Sequence, residues 1–463
     1  MTVEERIKNR KIGIVGMARS GMATARLVQA LHGIPFVSDN ATAAKVSDQT
    51  SELRNLGIEF ETGGHTDRVL QQDFLVVSPG VPLNLPILVK VRERGIPIFS
   101  EIEVASWVCP GTIVAITGSN GKTTTTTLTG EILSAAGFDT HVCGNIGRPL
   151  ADIVHLMNPK SVAVLEVSSF QLETILEFRP KVATILNLTP DHIDRHGSFE
   201  AYKKAKYRIT ENQGADDVFI LNGEDDESMA DPVVSGARRE LFTTRSDVDA
   251  AAHVVDGKLY VRSKGQRAEV IAVKDIAIKG PHNLQNSAAA VAMAVQLGVT
   301  PEVMARVLAS FPGVEHRLEN AGSVAGVTFI NDSKATNVDS VRWALRSMIT
   351  PVYLILGGRD KAGDFRPLIE EGRGKVKAIV AIGEAREKIK GVVGNDYRTE
   401  FAESMVAAVE RCFEMAHPGE TVLLSPGCAS FDMFDNFEHR GRVFKDAVKS
   451  LRNGKSSDET VTR

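Results

Sequence analysis

The sequence predicts an α/β protein made of three units. Short apolar runs alternate with helix-like segments, the pattern of parallel sheets crossed by helices. Three such series are separated by a basic, proline-containing stretch and by a more irregular region. The chain has 463 residues, and at roughly 150 residues per domain this is a prior for about three.

In the first series Ile12, Ile14 and Val15 form a short buried strand, and Gly16 and Gly21 bracket a turn into a helix near Met22. Strands at Pro35–Val37 and Phe74–Val77 end at Asp39 and Ser78-Pro79-Gly80. Val91–Ile98 then leads to Glu101 and a boundary. The second series opens with TIVAIT, Thr112–Thr117, and continues with strands at Val162–Leu165, Val182–Leu186 and Val218–Leu221. These last three end in Glu166, Asn187 and Asn222. Ala237–Ile278 reads as short antiparallel strands, before an alanine-rich helix at Asn283–Leu297. Strands of the third series lie at Val327–Ile330, Val352–Leu356, Ala378–Ile382 and Thr421–Leu424. The polar tail from Asn453 is expected to be disordered.

Composition narrows the function classes. Hydrophobic residues at 43% and charged residues at 24% exclude a disordered or fibrous chain. A net charge of -4 gives no global attraction to nucleic acid or an anionic membrane, so any polyanion must be bound locally. Four scattered cysteines with no CxxC pair argue against a disulfide framework and a zinc ribbon. No apolar run approaches the ~18 residues of a membrane span, and Met1–Lys11 lacks the apolar core of a secretory signal. A cytoplasmic location is expected.

Gly118-Ser119-Asn120-Gly121-Lys122-Thr123-Thr124 follows a strand and opens a helix. Its backbone N–H groups can surround phosphate oxygens, Lys122 can offset their charge, and Thr123 can offer a hydroxyl to Mg²⁺. The full Walker pattern would have glycine at position 116, where Ile116 stands. Glu166, ending a buried strand, reads as a Mg²⁺ ligand or as an incidental acid before a helix-capping serine pair. In Asn187–His196, Asp191, His192, Asp194 and His196 could bind metal or move protons; His192 is the functional candidate and His196 the structural one. Lys206 reads as part of a solvated lysine face. The Gly16–Gly21 loop, with Asp39 where a ribose-binding acid would sit, is either a nucleotide-diphosphate site or a tight βα turn. Three polar loops follow strands of the third series: Asn331–Asn337, Gly357–Lys361 and Ser425–Asp432. They would converge at one sheet edge, with Lys334, Lys361 and Ser430 suited to a carboxylate-bearing substrate.

GSNGKTT, GNIG at Gly144–Gly147, LEVSSFQLE, NLTPDHIDRH, GPHNLQN, His316-Arg317, NDSKATN, GGRDK and SPGCASFDMFDNFEHRG together resemble the Mur ligases of bacterial peptidoglycan synthesis. The resemblance runs from the first glycine loop to about Arg442. It implies a Rossmann-like, uridine-diphosphate-binding unit over 1–102, a central P-loop ATPase over 103–313, and a Rossmann-like amino-acid-binding unit with the disordered tail over 314–463. It favours a sugar nucleotide at the first loop. NDSKATN and the last motif are similar to those of the D-glutamate-adding member. The implied substrates are therefore ATP, UDP-N-acetylmuramoyl-L-alanine and D-glutamate, joined through an acyl phosphate by a monomer.

The resemblance also assigns residues. Lys122 and Thr123 would bind phosphates and Mg²⁺ within the loop Gly118–Thr124. Glu166, His192 and a Lys206 carbamylated by CO₂ would hold two Mg²⁺ ions, which replaces the solvated reading of Lys206. Asn283, Asn286, Arg317 and Asp332 would frame ATP. Ser20, Asn40, Gly80, Asn145 and Ser168 would face the UDP substrate, although Asn40 and Ala41 stand where other members can carry threonine and arginine. Lys334, Thr336, Lys361, Ser430 and Phe437 would form the D-glutamate pocket, and Lys122, His192, Lys206 and Lys334 the catalytic set.

Rival readings account for less. A folylpolyglutamate-type ligase shares the ATPase core but lacks a counterpart of residues 1–100 and NDSKATN. An NAD-dependent oxidoreductase leaves Lys122 and Glu166 unexplained, and a non-catalytic nucleotide-binding scaffold would turn over no ATP.

Overall fold

The computed structural model describes residues 6–230, 235–246, 250–263, 265–360 and 363–458. The described strands form three sheets. The first contains β1 (Lys11–Val15), β2 (Ile34–Asp39), β3 (Glu59–Thr62), β4 (Phe74–Val77) and β5 (Ile98–Phe99). All are parallel, in the order β3-β2-β1-β4-β5. The order reverses between β1 and β4, which opens a crevice at their carboxyl ends, the usual ligand position in such sheets. β1 and β4 are nearly continuous apolar runs because both faces are covered.

The second sheet contains β6 (Thr112–Thr117), β7 (Thr140–Gly144), β8 (Val162–Glu166), β9 (Val182–Ile185), β10 (Val218–Asn222), β11 (Arg238–Phe242), β12 (Ala252–Val255), β13 (Lys258–Ser263) and β14 (Gln266–Ala272). β6 lies between β8 and β9, so the phosphate-type loop after it stands in the middle of the parallel region. The expected run of antiparallel strands needs one correction. β11 pairs parallel with β10, and only β12, β13 and β14 are joined antiparallel. Apolar residues from β6, β8, β9 and β10 share one core with Leu150, Ile175 and Phe178.

The third sheet contains β15 (Glu319–Val324), β16 (Val327–Asn331), β17 (Val352–Gly357), β18 (Val376–Ile382), β19 (Arg398–Phe401) and β20 (Thr421–Leu424). Its order is β15-β16-β20-β17-β18-β19, and β15 alone of these runs antiparallel to its neighbour. Cores on its two faces are built around Phe329 and Phe444, and around Leu354 and Phe365. The final helix, Phe437–Asp458, runs through Asn453 into the stretch expected to be a disordered tail. No helix among the described residues is long and apolar enough to cross a membrane.

The chain divides into two compact units, Met1–Ile276 with Gln285–Phe311, and Ala277–Leu284 with Pro312–Arg463. The first two sheets lie in the first unit and the third sheet in the second.

Candidate active site

In the first unit, β6 delivers the loop Gly118–Gly121 to helix Lys122–Ala135. Gly121 has φ 84°, and a Cβ there would stand 2.3 Å from Asn286 Oδ1, so only glycine fits. Asn286 also accepts from Thr125 Oγ1 at 3.3 Å. The loop is held from its far side by Asn187, which accepts from Asn120 N at 2.8 Å and donates to Asn120 O at 3.1 Å. Ser119 exchanges bonds with Thr189 N (2.9 Å) and Thr189 O (2.8 Å). Lys122 Nζ folds back onto Gly118 O and Ser119 O at 2.8 and 3.0 Å. Thr124 Oγ1 is buried without a hydrogen-bond partner among the described residues. The first turn of this helix therefore presents a cation, hydroxyls and N–H groups at its positive end, which suits phosphate.

Glu166 ends β8 and is buried. Oε2 accepts from Thr123 Oγ1 at 2.7 Å and Oε1 from Asn145 Nδ2 at 2.8 Å. Both bonds orient it, and the carboxylate with the Thr123 hydroxyl supplies the hard oxygen donors that Mg²⁺ favours. The serine pair that follows does cap a helix: Ser168 and Gln171 form a reciprocal capping box. Glu166 and the caps are thus separate features of one turn.

His192 has φ 53° and precedes helix Ile193–His196. Its backbone N–H donates to Asp191 Oδ1 at 3.0 Å, and its ring meets Phe170 edge-on at 4.9 Å. His196 has a structural place: its ring lies 2.9 Å from Ser169 Oγ and 3.3 Å from Glu173, and stacks on Phe170. Burial and nearby cations push its pKa down to about 4, so it is neutral at pH 7.

Lys206 is not on a solvated face. It is only 2% exposed, donates to Gly118 O at 2.9 Å and lies 4.6 Å from the Tyr202 ring centroid. Burial and then Lys122 drive its pKa well below the ordinary lysine value. The residue that sequence chemistry treated as bland is thus a buried amine beside the phosphate-type loop.

At the first sheet, Gly16 and Gly21 bring the loop close to helix Arg19–Ala30; a Cβ on Gly21 would lie 1.8 Å from Gly16 O. Asp39 is already engaged, accepting from Met17 N at 2.6 Å and Ala41 N at 2.7 Å. It braces the loop, where the sequence suggested a ribose contact. Ser20 lies in the first turn of that helix, and Asn40 and Gly80 follow β2 and β4 at the same sheet edge. Asn145 follows β7, and Ser168 follows β8.

In the second unit, β16, β20 and β17 are parallel neighbours, so the loops after them share one edge. Asp332 is buried, accepting from Ser425 Oγ at 2.8 Å and Leu318 N at 3.3 Å. Burial raises its pKa to about 6, against the pull of Arg317. Lys334 Nζ lies 5.2 Å from the Phe437 ring centroid. Thr336 is half-buried and Ser430 buried on the same edge. Asn283 donates to Lys279 O at 2.9 Å, and Arg317 Nε is buried without a hydrogen-bond partner among the described residues. Lys361 lies outside the described residues. Arg440, within the last long motif, was given no role by the sequence. It is fully buried, donating to Ser333 Oγ, Ser333 O and Cys428 O at 3.0, 2.7 and 3.1 Å, and so ties two of the three loops together. An arginine in the first turn of a charged helix, Phe437–Asp458, has no spacing that marks it as buried.

Family models agree with this layout. A model for a Mur ligase MurD-like N-terminal domain matches residues 10–100, one for the Mur ligase middle domain 116–294, and one for the Mur ligase glutamate ligase domain 316–428. The chain is 43% identical to a UDP-N-acetylmuramoylalanine--D-glutamate ligase of Koribacter versatilis, over 96% of this chain and 98% of that one. It is likewise 43% identical to the protein of that name from Chlorobaculum tepidum, over 96% and 99%. Among solved structures, a UDP-N-acetylmuramate-alanine ligase from Thermotoga maritima superposes with a TM-score of 0.61 at 19% identity, covering 95% of this chain and 99% of that chain. A glycine loop opening a helix, a braced carboxylate and a buried lysine beside it fit a nucleotide-using α/β enzyme. The chain belongs to the Mur ligase family.

Proposed function

We propose that the protein is an ATP-dependent carboxylate–amine ligase that adds D-glutamate to UDP-N-acetylmuramoyl-L-alanine, acting as a cytoplasmic monomer in peptidoglycan precursor synthesis. The observation that carries the ligase reading is the grouping of Lys122, Thr123, Glu166 and buried Lys206 around one loop. Support for D-glutamate comes from the relatives' names and from the NDSKATN and SPGCASFDMFDNFEHRG loops. Domain limits near 102 and 313 are part of the same proposal.

In this reading Gly118–Thr124, Asn283, Asn286, Arg317 and Asp332 bind ATP. Thr123, Glu166, His192 and carbamylated Lys206 would hold two Mg²⁺ ions. Bound Mg²⁺ supplies positive charge to the transferring phosphoryl group. Ser20, Asn40, Gly80, Asn145 and Ser168 orient the UDP substrate, so that its alanine carboxylate meets the γ-phosphoryl group. That carboxylate oxygen bonds to phosphorus as ADP leaves, giving an acyl phosphate. Lys334, Thr336, Lys361, Ser430 and Phe437 hold D-glutamate, whose amine attacks the acyl carbon; the amide forms, phosphate leaves, and the amine proton passes to solvent. The lowered pKa of Lys206 gives it a free lone pair for CO₂. The N–C bond forms, one electron pair of CO₂ moves to oxygen, and the nitrogen loses a proton.

The test is ADP release with UDP-N-acetylmuramoyl-L-alanine and Mg²⁺, comparing D-glutamate, L-glutamate, L-lysine and no amino acid. Turnover with D-glutamate alone is expected. Turnover with another amino acid would keep the ligase and overturn the reading of the Lys334 loop; none with any would restore the folate-type ligase and the scaffold.

A further inference from the structure

Arg195 makes a set of contacts that the proposed reaction does not use. It lies in the helix Ile193–His196, directly after His192. Its guanidinium donates on either side of Gly80, from Nη1 to Pro79 O at 2.6 Å and from Nη2 to Val81 O at 3.0 Å. Those carbonyls belong to the turn after β4, at the edge of the first sheet. Nη2 also reaches Glu173 Oε2 at 3.4 Å. The same guanidinium lies 4.0 Å from the Phe170 ring centroid, and that ring touches both His192 and His196. The Arg195 side chain is only 16% exposed.

A planar fork that satisfies two carbonyls and covers an aromatic face is a stiff connection that lysine cannot reproduce. It joins the turn carrying Gly80 to Phe170, and Phe170 to His192. At the far end, His192 keeps a left-handed backbone (φ 53°), which persists only where its surroundings hold it. These contacts form one continuous chain from the 79–81 turn through Arg195 to the Phe170 ring that His192 meets edge-on.

We infer that Arg195 is a positioning residue that couples occupancy of the uridine-diphosphate end of the site to metal binding at His192. The inference rests on the proposed function for the identity of the first ligand. Its test is a binding cycle without turnover. Mn²⁺ is titrated onto the protein with ADP, with and without saturating UDP, and bound Mn²⁺ is read by electron paramagnetic resonance. In the native protein UDP should change the Mn²⁺ dissociation constant at least about fivefold, the low end of ordinary coupling between sites. Arg195→Ala should bring that ratio to about one. A merely structural role would weaken both ligands and leave the ratio intact. Should Arg195→Ala fail to fold, Arg195→Lys and Phe170→Leu each break one link, and each should move the ratio toward one. A ratio preserved in these variants overturns the inference. Native protein that binds UDP with a ratio of one overturns the link alone; native protein that binds Mn²⁺ and ADP but no UDP overturns the reading of the first loop as well.

Discussion

Lys206 holds its nitrogen where an ammonium ion is costly, buried beside Lys122. The proposed carbamate needs a neutral amine, which burial favours there and which a solvated lysine would not offer. Lys206→Ala should lower turnover by about 10–100-fold or more, as loss of a metal-site group does. Added formate or acetate should restore part of it by replacing the missing anionic oxygens. Absence of rescue across a concentration series would count against the carbamate. Glu101 gives a separate expectation. It is buried, accepts from Ala151 N at 2.7 Å, and burial raises its pKa from 4.5 to about 7. The native state then holds a proton that the unfolded state releases. Its contribution to stability is full below about pH 4.5 and is lost as pH rises through about 7, by at most about 3 kcal/mol. Glu101→Gln should therefore show a flatter melting temperature between about pH 5 and 8 than the native protein; parallel curves would remove Glu101 as the titrating group. Neither burial was legible in the sequence, because a lysine on a helix and a glutamate after a strand carry no mark of what will cover them. Asp39 shows the reverse case. Its position was legible, but both its oxygens bind backbone N–H groups, and spacing cannot distinguish a ligand contact from a brace.

Elements were legible where both faces are buried. β4, β6 and β20 have the bounds read from their apolar runs. β3 and β19, written EFET and RTEF, were missed because edge strands keep one side in water and carry charge. β7 and β15 mix polar and small residues and escaped for a similar reason. The loop after β6 was fully legible because its glycines are a backbone requirement. That requirement can be tested at Gly121, where an added Cβ meets both a positive φ and Asn286. Gly121→Ala should cost about 1–3 kcal/mol in stability through this overlap. It should also weaken ADP binding at least about tenfold, equivalent to about 1.4 kcal/mol, by turning loop N–H groups away from phosphate. Calorimetric titration of ADP checks this. Native affinity in a stably folded variant would mean that the loop does not cradle the nucleotide.

At the scale of the whole molecule, the chain places its proposed ligands in different compact units. Ser20, Asn40, Gly80, Asn145 and Ser168 lie in the unit Met1–Ile276 with Gln285–Phe311, whereas Lys334, Thr336, Ser430 and Phe437 lie in the unit Ala277–Leu284 with Pro312–Arg463. The second unit has apolar cores on both faces of its own sheet, which gives it the means to melt as a body. Two transitions are therefore expected in differential scanning calorimetry. A ligand that binds only the native form stabilises the body it binds, by about 2.7 kcal/mol at 100 times its dissociation constant. For the second unit that is a rise of several degrees, at roughly 2–4 °C per kcal/mol, and for the larger first unit a smaller one. UDP should raise one transition and leave the other in place; D-glutamate should raise the other. If D-glutamate instead moves the transition that UDP moves, its pocket is not built from the loops after β16 and β20, and the roles given to Lys334 and Ser430 fail together.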